Sequence, residues 1–241
     1  MSSWQAPANF TQLTGNDVHV WLFHVNTTPP SIKRFYPLLD AAEKERSERF
    51  IHFMHRKRFI AAHGFIRTVL AMYTQLPAEN LQFAKAERGK PQLIDVSDLQ
   101  FNLSHSHDIA MLAVARNAIG MDVEYVNRKN DWQKIMQRFF TESEQQKILA
   151  LDISQQQRAF FHVWTRKEAH MKVTGLGLFL APGQFTVSVP PEPAALLASN
   201  SQQNIMAWQM HDIELPSSAR DYCACVSHAG TTANIIKYLF N

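Results

Sequence analysis

The chain has 241 residues, of which 46% are hydrophobic and 19% charged, and this composition excludes collagen-like, low-complexity and wholly disordered proteins. The 24 Lys and Arg residues outnumber the 21 Asp and Glu residues by only 3, a net charge too small to indicate a nucleic-acid-binding protein by itself. Because the length exceeds that of a typical single domain, we expect two packed halves.

The sequence also bears on cellular location. Its two cysteines, Cys223 and Cys225, lie in a predicted strand, where both side chains point the same way and cannot easily form a disulfide. Reduced thiols favour a cytoplasmic protein. The N-terminus lacks the basic and then apolar segments of a signal peptide, and no stretch approaches about 18 uninterrupted apolar residues. We therefore expect neither export nor membrane spanning.

The first half begins with a β-rich strand at residues 18–25, which ends in a Pro-containing turn at 26–30. Asp40 and Glu43 have the spacing of a capping box, which marks the start of a helix. The apolar residues that follow are interleaved with basic ones, and they predict two helices that separate near residues 52–55.

The middle of the chain predicts three more strands. Residues 99–103 form a short strand that delivers a loop at 104–107. The β-rich runs at 109–115 and 119–126 flank a turn at 116–118, so we expect them to form a hairpin.

The second half predicts three helices followed by strands. The helices cover residues 131–140, 141–151 and 154–172, and Gly175 and Gly177 stop the last of them. The strands cover residues 185–189, 205–210, 222–227 and 234–240, with a Pro- and Ser-containing break at 190–201. Both halves thus combine strands with helices, which suggests a duplicated α/β unit with a boundary near Asn117.

Two acids lie two residues apart in the strand predicted at 119–126. Asp122 and Glu124 therefore project from the same face, with their Cα atoms about 6.5–7 Å apart. Such carboxylates suit Mg²⁺, which takes a few protein acids and completes its coordination with water and phosphate oxygens. Two exposed acids on a solvated strand are the commoner alternative. The alternating apolar neighbours and Gly120, which allows a close backbone approach, shift the balance toward a site.

A second polar pair lies on the helix predicted at 154–172. Glu168 and Lys172 are four residues apart and are therefore neighbours on one helix face. A surface salt bridge is the common explanation of such a pair. Because the same helix carries an apolar stripe that includes Trp164 and Met171, a half-buried polar site is the alternative.

The remaining candidate site residues are the segment Ser104-His-Ser-His107 and a group of basic residues. His105 and His107 could be read as two zinc ligands, but no cysteine or further histidine lies nearby in sequence to complete a tetrahedral set. Loop serines and histidines serve equally well as donors to phosphate oxygens. Arginine and lysine at 56–58 and Lys90 are either a solvated face or phosphate anchors.

Five segments follow the order found in one enzyme family. They are Gly89-Lys-Pro91, Phe101-Asn-Leu-Ser-His-Ser106, Ile119-Gly-Met-Asp-Val-Glu124, Arg138-Phe-Phe140 and Trp164-Thr-Arg-Lys-Glu-Ala-His-Met-Lys172. This succession resembles the 4′-phosphopantetheinyl transferases, specifically their larger, pseudo-dimeric type that activates peptide and fatty-acid synthases. Each segment alone is a weak signal, whereas five in order, between about residue 49 and residue 187, are highly specific.

The resemblance implies an α+β fold of two similar α/β halves packed about a pseudo-two-fold axis, with the active site at the interface between them. We expect an N-terminal half at 1–117 that binds coenzyme A phosphates and a C-terminal half at 118–241 that carries the metal and catalytic residues. Such enzymes transfer 4′-phosphopantetheine from coenzyme A to a serine of an acyl, peptidyl or polyketide carrier protein and release adenosine 3′,5′-bisphosphate.

The resemblance also implies roles for individual residues. The metal ligands are Asp122, Glu124 and Glu168, which would hold Mg²⁺, or Mn²⁺, against the coenzyme A pyrophosphate. Glu168 is the first candidate for the general base and Glu124 the second, while Lys172 contacts the pyrophosphate. The expected coenzyme A-binding residues are Arg58, Lys90, Pro91, Ser104, His105 and Lys172, with Lys44 and Arg56 as weaker candidates.

Two positions depart from the family pattern. Met121 replaces the usual Ile or Val, which is a tolerable change at an apolar position. His63 replaces an arginine in the helix that follows Arg56, so one phosphate or adenine-side contact differs.

A non-catalytic module that binds nucleic acid through the basic residues at 56–58 is the competing interpretation. It gives no use to Asp122, Glu124 and Glu168, since acids repel phosphates unless a cation intervenes. We therefore expect a carrier protein and coenzyme A as partners, without nucleic acid or a membrane. A duplicated chain could build its site at its own internal interface, so we expect a monomer.

The segment at 127–138, directly after the acidic strand, is the predicted docking site for the carrier protein. It combines the basic residues Arg128, Lys129, Lys134 and Arg138 with interleaved apolar residues. The resemblance implies an acidic helix on the carrier, which such a basic rim would attract. The alternative is an ordinary amphipathic helix whose apolar residues face the core.

Overall fold

The computed structural model describes residues 3–25, 28–85, 89–126, 129, 131–175, 180–200 and 204–240. Its helices are α1 (Pro29–Phe35), α2 (Ala41–Glu48), α3 (Phe53–Thr74), α4 (Trp132–Phe139), α5 (Glu142–Leu149) and α6 (Ile153–Thr174). Its strands are β1 (Val18–His24), β2 (Phe83–Lys85), β3 (Pro91–Leu93), β4 (Gln100–Ser106), β5 (Ile109–Ala115), β6 (Ile119–Tyr125), β7 (Phe185–Val187), β8 (Leu196–Ser199), β9 (Trp208–Asp212), β10 (Tyr222–Ala229) and β11 (Ile235–Phe240). None of these helices is long and apolar enough to cross a membrane.

Two main sheets form the centre of the molecule. The first has the order β11-β1-β5-β4, and the second has the order β6-β10-β9. Strands β2 with β3, and β7 with β8, form two small separate sheets. Strand β11 lies parallel to β1. The end of the chain therefore returns to the sheet that the first half builds.

The predicted hairpin of residues 109–115 with 119–126 is wrong. Strand β5 is hydrogen-bonded to β1 and β4, whereas β6 is paired with β10 in the other sheet. Because β1 and β4 occupy both edges of β5, no edge remains for β6. The turn at 116–118, which contains the expected boundary residue Asn117, therefore connects two sheets.

Each sheet is covered by a 22-residue helix. Helix α3 packs Phe65 and Val69 against Trp21 and Leu112 of the first sheet. Helix α6 packs on β6 and β10 of the second sheet, where Cys223 and Cys225 both point into the core beneath it. A third apolar cluster lies between the sheets and includes residues of β1, β5, β6 and β10. A sheet covered by one long helix thus occurs twice, which confirms the expected fold of two similar halves.

The predicted helix boundaries are largely confirmed because local capping signals determine them. Asp40 and Thr141 each form a complete capping box at the start of α2 and α5. Gly175 ends α6 in the left-handed conformation, with φ of 64°. Gly177, the other predicted stop, lies outside the described residues.

The strands of the second half are found close to their predicted positions, with two differences. Strand β9 begins only at Trp208, because the three residues before it form a 3₁₀ turn. Strand β8 lies inside the segment predicted as an irregular break, where it pairs with β7. Cys223 and Cys225 are both buried free thiols, in agreement with the prediction.

Candidate active site

The two halves meet where the edge strand of one sheet faces the edge strand of the other. Three alternate side chains of β4, those of Asn102, Ser104 and Ser106, accept hydrogen bonds from backbone amides of β6. The distances are 2.8 Å from Met121 N, 3.3 Å from Val123 N and 3.1 Å from Tyr125 N. Side chains thus replace a second strand in satisfying the free edge of β6.

This junction corrects the predicted loop at 104–107. Ser104, His105 and Ser106 are the last residues of β4, and only the turn at His107 and Asp108 separates β4 from β5. The strand continues because β5 pairs with it as far as Ser106, while its alternate side chains are bonded to amides of β6. Alternation then places His105 on the opposite face from the two serines.

Asp122 is the most deeply buried acid of the junction, with 3% of its surface exposed. Its Oδ1 accepts a hydrogen bond of 2.9 Å from Ser104 Oγ and lies 2.6 Å from Lys172 Nζ. Burial raises the pKa of the Asp122 carboxyl, and the positive charge of Lys172 opposes that shift. Its Oδ2 is buried and has no hydrogen-bond partner in the described part of the chain. A second cation would satisfy that oxygen.

Glu124 lies two residues further along the same face of β6, as its spacing predicts. Its Oε2 accepts a hydrogen bond of 2.9 Å from Ser106 Oγ. Burial raises the pKa of Glu124, and the neighbouring charge of Asp122 raises it further, whereas Ser106 and the Trp164 indole of α6 lower it. A residue of the other half therefore donates a hydrogen bond to Glu124.

Glu168 and Lys172 share one face of α6, as the sequence predicts, and both lie beside the β6 acids. Burial, and next the charge of Asp122, raise the pKa of Glu168 to about 7. Lys172 donates to both Asp122 and Ser104, whereas no described residue donates a hydrogen bond to Glu168. Glu168 thus takes up a proton more readily than an ordinary glutamate does.

Gly120 allows β6 and α6 to approach this closely. A Cβ atom at this position would lie 2.1 Å from Ala169 O and 2.5 Å from Val173 N, both backbone atoms of α6. No side chain fits in that space. The predicted close approach at Gly120 therefore brings the acids of the strand next to Glu168 and Lys172 of the helix.

The donor chemistry of this cluster fits a hard divalent cation. The charge of Asp122 raises the pKa of both Glu124 and Glu168, and Asp122 Oδ2 has no hydrogen-bond partner among the described residues. The described residues do not include three His, Cys, Asp or Glu side chains already arranged around one point. Mg²⁺ commonly takes one or two carboxylates and fills the remaining positions with waters and substrate phosphates, so a complete protein cage is not required.

A cavity of about 560 Å³ lies on the other face of β4, between that strand and α3. The predicted ligand residues Arg58 and His105 line it, and Ser106 lies where the cavity meets the junction. The Arg58 guanidinium donates a 2.7 Å hydrogen bond to Asp108, a carboxylate on the turn after β4. This arrangement presents an arginine that already binds an anionic group.

Other predicted ligand residues lie outside this cavity. Lys90 Nζ donates to the Ile119 carbonyl at the start of β6, and burial lowers the pKa of Lys90 to about 8. Pro91 begins β3, and Ser104 lies in the junction with its hydroxyl fully engaged. Lys44 donates to Pro37 O. Lys44 and Arg56 are not among the described residues that line the cavity.

Several side chains of this region were not predicted as site residues. His63 lies in the cavity against Phe59, and its Nδ1 forms a 2.7 Å hydrogen bond with Glu43 Oε1. Ser106 donates a hydrogen bond to Glu124, and Trp164 lowers the pKa of that carboxyl group. The alternation of Asn102, Ser104 and Ser106 is a signal that could have indicated a polar strand face, but only the fold reveals that β6 lies opposite.

The predicted docking segment is described in part. Arg128 lies outside the described residues, and Lys129 and Lys134 are exposed. Trp132 and Met136 of α4 are buried in the core of the second half, while Ile135 and Phe139 are half-buried against it. The predicted apolar docking patch is therefore wrong for Trp132 and Met136, because the amphipathic face of α4 turns inward.

Comparison with known proteins identifies related chains. A model of the 4′-phosphopantetheinyl transferase superfamily matches residues 118–227, and a model of the 4′-phosphopantetheinyl transferase N-terminal region matches residues 26–117. The 4′-phosphopantetheinyl transferase HetI of Nostoc sp. is 34% identical over 211 residues, which are 86% of each chain. Sfp of Bacillus subtilis is 32% identical over 64% of this chain and 68% of its own, and psf-1 of Bacillus pumilus is 30% identical over 69% and 70%.

Proposed function

The chain belongs to the 4′-phosphopantetheinyl transferase family, and we propose that it performs that transfer at the junction of β4, β6 and α6. The acceptor is a serine of a carrier protein, the donor is coenzyme A, and the second product is adenosine 3′,5′-bisphosphate. The observation that carries this proposal is the cluster of Asp122, Glu124, Glu168 and Lys172 between the halves, next to a cavity with a half-exposed arginine. None of the matched proteins favours a nucleic-acid-binding module.

We propose that the cavity receives the phosphate groups of coenzyme A. Arg58 carries a guanidinium fork that suits phosphate oxygens, and its present partner, Asp108, is an exposed carboxylate that a phosphate could replace. His105 faces the same cavity as a second donor. Lys90 and Ser104 already have protein partners, so we assign them to positioning the start of β6 and Asp122 beside the ligand.

The proposed ligands of Mg²⁺, or of Mn²⁺, are Asp122, Glu124 and Glu168. The unpartnered Asp122 Oδ2 and the raised pKa of each carboxyl group support this set, because mutual repulsion of buried acids is relieved by a cation. When bound, such an ion would neutralise negative charge on the adenosine bisphosphate leaving group. Lys172, whose side chain is 28% exposed, supplies a further positive charge to the pyrophosphate.

We assign the general base to Glu168. The incoming serine hydroxyl forms a bond to the phosphorus atom that bears pantetheine, the bond from that phosphorus to adenosine bisphosphate breaks, and the serine proton passes to a carboxylate. Glu168 receives no hydrogen bond from the described residues, so its carboxylate oxygens are free to accept that proton. Glu124 is the weaker candidate, since Ser106 already donates a hydrogen bond to its carboxylate.

The division into halves at 1–117 and 118–241 is part of the same proposal. It is supported by the turn at 116–118, which passes from one sheet to the other, although β11 crosses back to β1. Since one chain supplies both sides of the junction, we propose a monomer. The buried free thiols Cys223 and Cys225 support a reducing compartment such as the cytoplasm.

Mass spectrometry tests the proposed activity. A panel of apo carrier proteins is incubated with the chain, coenzyme A and Mg²⁺, and a carrier is expected to gain the mass of one phosphopantetheine. Asp122→Ala should abolish the gain, whereas the control Asp98→Ala, which removes an exposed acid paired with Arg116, should not. Transfer by Asp122→Ala at the wild-type rate, or undiminished transfer in excess EDTA, would contradict the metal assignment.

A further inference from the structure

We propose that Ser106 is a positioning residue that fixes the Glu124 carboxylate for cation binding across the interface between the halves. This inference rests on the proposed function and adds a residue to it, because Ser106 itself contacts neither the reacting atoms nor the cation in that scheme. Ser106 was expected only as part of the motif at 101–106, without a role of its own.

The direction of the Ser106 hydrogen bonds follows from their partners. A hydroxyl has one proton to donate and lone pairs that accept. The Tyr125 amide lies 3.1 Å from Ser106 Oγ and can only donate, so it occupies a lone pair. Glu124 Oε2 lies 2.9 Å away and, as a carboxylate, can only accept. The Ser106 proton is therefore committed to Glu124, and the Tyr125 amide keeps the hydroxyl oriented.

The residues beside the Glu124 carboxylate come from opposite sides. Ser106 belongs to β4 of the first sheet, whereas Trp164, whose indole lowers the pKa of Glu124, belongs to α6, which covers the second. A glutamate side chain has several rotatable bonds, and a directed hydrogen bond restricts them. The Ser106 hydroxyl therefore favours one carboxylate position before any ligand arrives, which is how outer partners orient metal-binding acids.

Asn102 provides a matched comparison within the same strand. Its Oδ1 accepts from the Met121 amide at 2.8 Å, so it joins the two halves as Ser106 does. Unlike Ser106, it forms no hydrogen bond with Asp122 or Glu124 among the described residues. Replacing Asn102 therefore measures how much the hydrogen bonding between β4 and β6 alone contributes to cation affinity. Ser104 is unsuitable as a control, because it also contacts Asp122 and Lys172.

The test is an Mn²⁺ titration followed by electron paramagnetic resonance, with the full-length protein and saturating coenzyme A. Ser106→Ala should weaken Mn²⁺ binding by about 10–100-fold, the usual effect of removing a partner that orients a ligand. Ser106→Cys, with similar size and a weak donor, should weaken it in the same direction, and Ser106→Thr should restore it. Asn102→Ala should lower the melting temperature but leave Mn²⁺ affinity within about threefold of wild type.

The possible failures are distinguishable. Wild-type affinity in both Ser106→Ala and Ser106→Cys would overturn the positioning role while leaving the proposed metal site intact. Equal weakening in Ser106→Ala and Asn102→Ala would also overturn it, since the effect would then reflect only the connection between the halves. A wild-type protein that bound no Mn²⁺ in the presence of coenzyme A would overturn the proposed metal site and this inference together.

Discussion

Gly120→Ala is expected to disrupt the candidate site by moving a helix rather than by removing a functional group. The added Cβ would lie 2.1 Å from Ala169 O, whereas ordinary contact begins at 3.4 Å. Ala169 O and the second close atom, Val173 N, both belong to the backbone of α6, so a change of side-chain rotamer cannot relieve the clash. The helix must therefore move away from β6 by about 1 Å, because a close-packed interior offers no other relief.

That displacement separates Glu168 and Lys172 from Asp122 and Glu124. A misplacement of about 1 Å can cost about 10²-fold in rate, so we expect a loss of that size in transfer activity. Overpacking of this kind also lowers the free energy of unfolding by about 1–3 kcal/mol. Transfer rates at saturating coenzyme A and urea unfolding measure the two effects separately.

Gly183→Ala is the matched control. Its added Cβ would meet nothing closer than Phe139 O at 3.8 Å, which is ordinary contact, so activity and stability should stay near those of the wild type. A Gly120→Ala protein with wild-type activity would refute the argument that this close approach assembles the site. Reduced stability with normal activity would show that α6 can yield without moving the acids apart.

Three further predictions concern single side chains. Glu168→Gln removes the proposed base while preserving its shape, so the transfer rate should fall far more than coenzyme A affinity. Arg58→Ala should raise KM for coenzyme A by about 10–100-fold, with a much smaller effect for dephospho-coenzyme A, because the guanidinium is assigned to the 3′-phosphate. His170 is fully buried, and burial lowers its pKa to about 4, so the unfolded chain takes up a proton first as pH falls below about 6.5. The free energy of unfolding therefore falls progressively between pH 6.5 and 4, by at most about 3 kcal/mol from this residue. His170→Phe should lose less stability than the wild type between pH 7.5 and pH 4.5, as measured by urea unfolding.

For each of these three predictions, one experimental result would contradict it. Near wild-type turnover by Glu168→Gln would exclude it as the base, and equal effects of Arg58→Ala on the two donors would place that arginine away from the 3′-phosphate. An unchanged pH dependence of stability in His170→Phe would show that the buried imidazole is not neutral in the folded protein.

The sequence was most informative where local chemistry determines structure. The capping residues Asp40 and Thr141 and the terminal Gly175 set helix ends through bonds within a few residues of themselves. Asp122 with Glu124, and Glu168 with Lys172, were predicted to share faces because helix and strand periods are fixed. These predictions required no knowledge of which elements pack together.

Predictions that depended on long-range packing were less successful. The hairpin of β5 with β6 was predicted from proximity in sequence, but β1 and β4 compete for the same edges of β5. The apolar face of α4 was assigned to a partner, although its periodicity fits the core equally well, and Met136 points inward. For β5, one deciding neighbour, β1, lies far away in the chain.

The serines of β4 show why a motif can be recognised in a sequence before the role of its residues is known. In sequence, Ser104 and Ser106 suggested a loop of phosphate donors, and a loop would indeed leave their hydroxyls free for a ligand. In the fold their hydroxyls accept hydrogen bonds from β6 amides and donate hydrogen bonds to Asp122 and Glu124. Because an edge strand needs its amides satisfied and an acid cluster needs donors, one row of short polar side chains meets both needs. The acids Asp122 and Glu124 of one half therefore receive hydrogen bonds from serines of the other half.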